Sequence, residues 1–288
     1  IKVSYIVTQP PKISGRGKKI RLSPVHEWGE RKKIKIYTPS NTAEKNFVNN
    51  IMREKVDLNI VVAYGNLLTK KIINLPNYIS LNVHASLLPR WRGAAPIQRS
   101  ILSNDKETGV CIMRVDEKLD SGPIIISEKF EIKDDDNYDT IYNRTIDVGK
   151  KILKKAILTI INNETNYEFQ DESLVTYAKK ISKSESKIFW NKSAHEINLK
   201  IRAFSKSPGA WTILKNSNTR IKILKAQIIK EEQIETNSSY NVGDITSRFE
   251  VKCNKDFLKV EVLQKEGRNP ISAKEFLNGN SIEDLKFN

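Results

Sequence analysis

Apolar and polar residues alternate along Ile79-Ser80-Leu81-Asn82-Val83-His84. Side chains of a strand point to opposite faces with period two, so this stretch predicts a strand with Asn82 and His84 on one face. Ala85 and Ser86 open a loop, and Leu87-Leu88-Pro89 carries it over the strand end, Pro89 holding Leu88 extended. Leu58 to Tyr64 is continuously apolar, the pattern of a strand covered on both faces. Further strands are predicted over Ile1 to Thr8, Lys33 to Tyr37, Gly109 to Asp116 and Pro123 to Ile132. Helical spacing falls between them, at Ser23 to Arg31 and at Thr42 to Lys55, where Phe47, Val48, Ile51 and Met52 share a face. A turn of helix follows at Thr69 to Ile73. A longer helix carries Tyr142, Ile146, Leu153, Ile157 and Ile160, is N-capped by the run Asp134-Asp135-Asp136, and ends near Ile161. Strands alternating with helices predict an α/β fold with a mostly parallel sheet and right-handed crossovers.

The texture then changes. Residues 162–186 are polar and poor in strand pattern, which reads as a linker between a first domain over 1–161 and a second over 187–288. After one helix at Ala194 to Phe204 come β-rich runs at Ala210 to Leu214, Arg220 to Ile229, Asp244 to Glu250 and Phe257 to Leu263. Short strands separated by turn residues predict a small antiparallel barrel.

Composition bounds the partners. The 288 residues suffice for two domains, and no run of about 18 apolar residues is present, so no membrane span is predicted. No leader pattern is seen. Cys111 and Cys253 stand far apart, without Cys-x-x-Cys spacing or clustered His, which argues against a disulfide framework or a metal site. The redox setting and location expected are cytoplasmic. Lysine and arginine total 49 against 34 acids, a net charge of +15. So one-sided a charge suits a polyanionic partner, nucleic acid above membrane, although a lysine-rich proteome would explain part of it.

Residues 9–24 hold Lys12, Arg16, Lys18, Lys19 and Arg21 and no acid, with prolines and glycines that argue for an irregular, mobile surface loop. Such a loop is either a solvated linker or a set of phosphate contacts. A lone His at a strand end, or a lone Asn beside a loop, usually just satisfies a hydrogen bond. Paired ahead of a shaped apolar loop, Asn82 and His84 make a candidate site where an open α/β sheet builds one. Asn82 can donate from its amide, and His84 can donate or move a proton near neutrality. Asp120, in the turn Leu119-Asp120-Ser121-Gly122, would by itself be a structural hydrogen-bonder.

The run from Asn82 to Gln98 (Asn-Val-His-Ala-Ser-Leu-Leu-Pro-Arg-Trp-Arg-Gly-Ala-Ala-Pro-Ile-Gln) closely resembles the signature of the methionyl-tRNA formyltransferases. Its Asn-x-His and Leu-Leu-Pro core is shared by the wider group of enzymes using 10-formyltetrahydrofolate. Leu119-Asp120-Ser121-Gly122 resembles their Leu-Asp-x-Gly, whose Asp faces the Asn-x-His pair. Gly15-Arg16-Gly17-Lys18-Lys19 resembles the inserted loop with which these enzymes probe the acceptor end of initiator tRNA, and residues 171–178 resemble their linker. The resemblance implies a Rossmann-like mostly parallel sheet (the formyltransferase fold) followed by an OB-like antiparallel β-barrel that binds tRNA. It implies catalysis by Asn82, His84 and Asp120, and folate along Ser86, Leu87, Leu88 and Pro89, with backbone of Gly65 and Asn66 meeting the pterin. It implies tRNA contacts from Arg16, Lys18, Lys19 and Arg21. The implied reaction takes a formyl group from 10-formyltetrahydrofolate to the methionine amine of initiator methionyl-tRNA, in a monomer, without metal. Asn66 replaces the family's usual Leu, and a first strand and helix of about 30 residues would precede Ile1. A folate-dependent formyltransferase acting on a nucleotide or amino sugar is the alternative, and a non-enzymatic tRNA-binding protein is a third reading.

Overall fold

A computed structural model of the chain describes all residues except 15–18, 206, 216, 235–238, 281–284 and 288. In chain order the first elements are β1 (Tyr5–Val7), β2 (Lys12–Ser14), β3 (Lys19–Arg21), α1 (Pro24–Arg31), β4 (Lys35–Tyr37), α2 (Lys45–Ile51), β5 (Leu58–Val62), α3 (Lys70–Ile73) and β6 (Ile79–His84). Then come β7 (Arg92–Gly93), α4 (Pro96–Leu102), β8 (Glu107–Arg114), β9 (Ile124–Glu131), α5 (Tyr138–Ile161) and β10 (Tyr177–Ala178). The last are α6 (Ala194–Ala203), β11 (Ala210–Leu214), β12 (Thr219–Ile229), β13 (Glu250–Lys252), β14 (Phe257–Lys265), β15 (Ile271–Ser272) and α7 (Ala273–Leu277). Two compact units form: Ile1–Ala94, Gly109–Lys129 and Ile146–Ala178 make one, and Ala95–Thr108, Phe130–Thr145 and Lys179–Asn288 the other.

The first unit is mixed α/β. β5 and β6 pair in parallel, β8 joins β6 antiparallel with His84 opposite Cys111, and β9 follows on the far side of β8. β1 and β4 form a separate parallel pair. The 24-residue α5 buries Ile152, Ala156, Ile157 and Ile160 and brings Gly149 against Val83 and Val110. Tyr142, one of the residues that predict the helix, is exposed, and its neighbour Ile141 lies at 0 % exposure. Aromatic and aliphatic residues fall on both sides of that turn, so composition alone does not fix the stripe.

Four predictions are corrected. The Leu58 to Tyr64 run is not covered on both faces: Ile60 and Val62 are exposed, on the side of the strand where no described element packs over them. The helix predicted from Thr42 to Lys55 shrinks to α2, leaving Met52 exposed. There the Glu44 carboxylate accepts from Ser40 and Asn41, and Asn41 accepts from the Ala43 N–H, so side chains hold the backbone in a turn that competes with helix. The basic stretch predicted to be irregular contains a hairpin, with Lys12 opposite Arg21 and Ile13 opposite Ile20, because β-branched residues alternate with polar ones on both arms. The strand predicted over Asp244 to Glu250 is instead a turn leading into β13. The Thr246 hydroxyl accepts from the Arg248 and Glu250 N–H groups, and Phe249 sits at φ 60°.

The cap of α5 is Asn137, whose side-chain oxygen accepts from the Asp139 and Thr140 N–H groups, rather than the Asp134 to Asp136 run. Asp136 has another task. It is 4 % exposed and accepts from the Lys133 N–H, the Thr140 hydroxyl and the Arg144 guanidinium. Burial pushes its carboxyl up, but these donors outweigh burial and hold it below the usual carboxylate value. A carboxyl depressed in the folded state contributes stability above its unfolded value, and that contribution disappears as pH falls through the folded one. Unfolding free energy measured from about pH 6 down to about pH 2 is therefore expected to fall less steeply in Asp136→Asn than in wild type. Equal slopes would remove this role.

The second unit carries an antiparallel sheet in the order β11-β12-β14-β13, with β15 on β14. Register shifts between Ile223 and Ala226 add curl to β12, as bulges do. Single bridges Leu214–Phe287, Asp244–Lys286 and Ile245–Val251 then carry the circuit from β11 back to β13, giving an OB-like barrel. Its core stacks Trp190 on Phe287 at 5.3 Å and Phe249 on Phe276 at 5.5 Å. A polar edge inside, Trp190 Nε1–H, donates to Thr212 Oγ1 at 2.9 Å. Capping boxes at Ser193/Glu196 and Ser272/Glu275 start α6 and α7.

Candidate active site

The parallel β5–β6 register, with Val62 opposite Val83, brings the chain off both strands at one sheet edge. There Asn82 Nδ2 donates to Asp120 Oδ1 at 3.0 Å, and His84 Nδ1 lies 3.6 Å from Asp120 Oδ2. Asn82, His84 and Asp120 thus converge, although 38 residues separate Asn82 from Asp120. His84 is 5 % exposed, and the Asp120 side chain 13 %.

Backbone completes the cluster. The Gly93 N–H donates to Asp120 Oδ2 at 2.9 Å. His84 Nε2 lies 2.9 Å from the Trp91 carbonyl oxygen. A carbonyl can only accept, so Nε2 carries the hydrogen and, in neutral imidazole, the lone pair belongs to Nδ1. That nitrogen faces the carboxylate across a gap longer than a hydrogen bond. The site can therefore accept a proton at Nδ1 and stabilise the resulting cation with Asp120.

The loop after His84 is built to keep its shape. Ser86 is fully buried and donates its hydroxyl to the Arg90 carbonyl at 2.6 Å. Leu88 joins Cys111, Met113 and Ile124 in a buried cluster, and Leu87 packs on Gly109. Ser86 and Leu88 therefore hold the loop from within, while Leu87 and Pro89 are partly exposed. Gly93 sits at φ 119°, and a Cβ there would meet the Ala178 carbonyl oxygen at 2.9 Å.

Known proteins resemble this chain over both units. The Formyl transferase family pattern matches residues 1–157, and that of the Formyl transferase C-terminal domain matches 180–281. The chain is 39% identical over 286 residues to the methionyl-tRNA formyltransferase of Pelagibacter ubique, covering 97% of this chain and 88% of that one. It is 36% identical over 277 residues to the enzyme of the same name from Methylococcus capsulatus, covering 96% and 89%. The chain belongs to the methionyl-tRNA formyltransferase family. Solved structures share its fold. HypX from Aquifex aeolicus in complex with tetrahydrofolic acid has a TM-score of 0.64 at 13% identity, over 95% of this chain and 46% of that one. The sugar 3N-formyl transferase WlaRD has a TM-score of 0.58 at 24% identity, over 92% and 88%.

Within this methionyl-tRNA formyltransferase family member, sequence reasoning missed the groups that seat Asp120. Asp120 takes φ 46°. The Gln170 amide donates to the Asp120 carbonyl at 2.9 Å and the Gly122 carbonyl at 2.7 Å, while its own oxygen accepts from Arg92 Nε at 3.0 Å. Arg92 is 3 % exposed and reaches Glu172 at 2.8 Å. The predicted linker thus runs back along the loop: β10 pairs in parallel with β7, and the Thr176 hydroxyl accepts from the Trp91 N–H. Replacing Gln170 by Leu leaves two carbonyls and a guanidinium N–H unanswered, so denaturant unfolding is expected to show a loss of about 2 kcal/mol or more. A Gln170→Leu chain as stable as wild type would show the clamp to be dispensable.

The other predicted contacts sit apart in sequence order. Lys19 and Arg21 are exposed on β3, and Arg16 and Lys18 lie outside the described residues. Gly65 is exposed just after β5, and Asn66 Nδ2 donates to the Ser40 carbonyl at 3.4 Å. Burial pushes the Cys111 and Cys253 thiols up to about 12, so both stay protonated as small hydrophobes near neutral pH. Among the described residues, no helix is long and apolar enough to cross a membrane, and no three His, Cys, Asp or Glu converge as a metal site.

Proposed function

We propose that this chain transfers the formyl group of 10-formyltetrahydrofolate to the methionine amine of initiator methionyl-tRNA. The observation that carries it is the Asn82–His84–Asp120 convergence, in a chain so similar to named methionyl-tRNA formyltransferases. The amine nitrogen attacks the formyl carbon and forms the new C–N bond, creating a tetrahedral oxyanion. Asn82, whose second amide hydrogen is not committed to Asp120, donates to that oxygen. His84 Nδ1 takes the proton lost by the amine, and Asp120 stabilises the imidazolium. Collapse breaks the bond to the folate nitrogen, which receives that proton as it leaves. Folate is a substrate here, consumed each turnover. The partly exposed Leu87 and Pro89 suit the flat apolar face of a pterin, and Ser86 and Leu88 hold the loop beneath it.

We assign catalysis to residues 1–161, tRNA contact to 187–288 and to Arg16, Lys18, Lys19 and Arg21, and the connection to 162–186. The two family patterns, over 1–157 and 180–281, leave most of that connection between them, and the net charge of +15 suits RNA. The three reacting side chains come from one chain, which suits a monomer working in the cytoplasm. The test offers wild-type protein initiator methionyl-tRNA, elongator methionyl-tRNA and a dTDP-amino sugar in turn, with 10-formyltetrahydrofolate. Formyl transfer chiefly to the initiator is expected. Transfer to the amino sugar instead would replace this reading with its alternative.

A further inference from the structure

The outward side of the barrel in the second unit carries a grouping that catalysis does not use. Ala210, Thr212 and Leu214 of β11 face inward, at 0, 0 and 5 % exposure, so Trp211 and Ile213 face out. On β12, Ile221 and Ile223 are fully buried, which turns Arg220 and Lys222 to the same outer side. Trp211 stands opposite Lys222, and on its other flank a bridge sets Lys187 beside it. Ile188 is buried, so Lys187 and Phe189 both point outward, and Phe189 is 49 % exposed.

The cations gather on rings rather than on acids. The Arg220 guanidinium lies 4.0 Å from the Trp211 ring centre. The Lys187 ammonium lies 5.3 Å from Phe189 and 5.9 Å from Trp211, and that of Lys200 lies 5.6 Å from Phe189. The stem of Lys222 lies across Gly209, where a Cβ would meet its Cδ at 2.7 Å. Among the described residues no carboxylate pairs with Lys187, Arg220 or Lys222. The nearby Glu185 is held by Arg99 at 2.7 Å, and Glu196 by the Ser193 cap. Positive charge without an acid partner, interleaved with an exposed flat ring, matches a polymer that alternates phosphates with planar bases.

We infer that Phe189, Trp211, Lys187, Arg220 and Lys222 form a stacking platform for an unpaired nucleotide of the tRNA. Phe189 takes the base, Lys187, Arg220 and Lys222 take the flanking phosphates, and Trp211 holds the arginine and lysine in place. This rests on the proposed tRNA substrate and goes beyond it by naming a base contact and its residues.

The full chain is titrated with unacylated initiator tRNA transcript, and with inorganic polyphosphate, over a range of salt concentrations. Phe189→Ser is expected to weaken tRNA binding roughly 5- to 150-fold, as loss of one stacked base does. Its salt dependence should not change, and polyphosphate binding should be untouched. The triple variant Lys187→Gln, Arg220→Gln, Lys222→Gln should flatten the slope of log K against log salt by about 2 to 3. Circular dichroism melting checks that both variants fold. A wild-type chain that binds no tRNA overturns both the substrate reading and the platform. Wild-type tRNA binding with no loss in Phe189→Ser, or an equal loss toward polyphosphate, overturns the platform alone.

Discussion

Asp120→Asn is expected to lower single-turnover formyl transfer about 100- to 1,000-fold, the scale seen when a preorganised polar group is lost from a transition state. The carboxylate answers Asn82 Nδ2 on one oxygen and the Gly93 N–H on the other, and faces His84 Nδ1 across 3.6 Å. An Asn side chain has nearly the same shape but only one accepting oxygen. Its NH₂ must therefore point at Asn82 or at Gly93, donor against donor. The negative charge that would stabilise imidazolium is also gone. The backbone should survive, because Asn tolerates the left-handed φ of 46° held there. Loss of turnover with a near-normal KM in a chain that still folds is the expected pattern. Wild-type turnover would remove Asp120 from the chemistry.

Gly122→Ala should act through the turn instead. A Cβ at Gly122 would fall 2.0 Å from the Arg114 carbonyl oxygen and 3.0 Å from its carbon. Both are backbone atoms, so neither can swing aside as a side-chain tip would. That strand end is also tied by the Arg114 N–H, which donates to Pro123 at 3.0 Å. Relief has to come from moving the turn that carries Asp120 and from pulling the Gly122 carbonyl off Gln170. Overpacking of this kind costs about 3 kcal/mol, which in a chain of this size lowers the melting temperature by roughly 6 to 12 °C. Formyl transfer should fall as well, even well below the new melting point. A variant that melts with wild type would show that the turn yields freely and does not aim the carboxylate.

The two halves of the site differ in how far the sequence discloses them. Asn82 and His84 are legible because a period of two puts residues 82 and 84 on one face whatever surrounds the strand. Asp120 has no such local rule. Its arrival depends on how β8 and β9 cross beside β6, and it was placed only by resemblance to a familiar turn. Gln170 carried no signal at all, since its partners are two backbone carbonyls and one buried arginine, and backbone atoms leave no trace in a residue pattern. The fold behaves similarly. The barrel strands at Ala210, Arg220 and Phe257 stand where alternation put them, because each buries one face. The apolar run of β5 misled because hydrophobicity reports a preference for cover, whereas exposure of Ile60 and Val62 depends on what packs across their face of the sheet. The helix at Thr42 shortened for a local reason, the competing bonds of Asn41 and Glu44, that propensity counts do not weigh.

Whether Asn82, His84 and Asp120 act as one device can be measured directly by comparing each single replacement with the triple variant in single-turnover formyl transfer. If the amide, the imidazole and the carboxylate work only together, Asn82→Ala/His84→Ala/Asp120→Asn should be little slower than the slowest of the three singles. Losses that multiply from one replacement to the next would mean three independent residues that happen to meet, and would contradict the mechanism set out above.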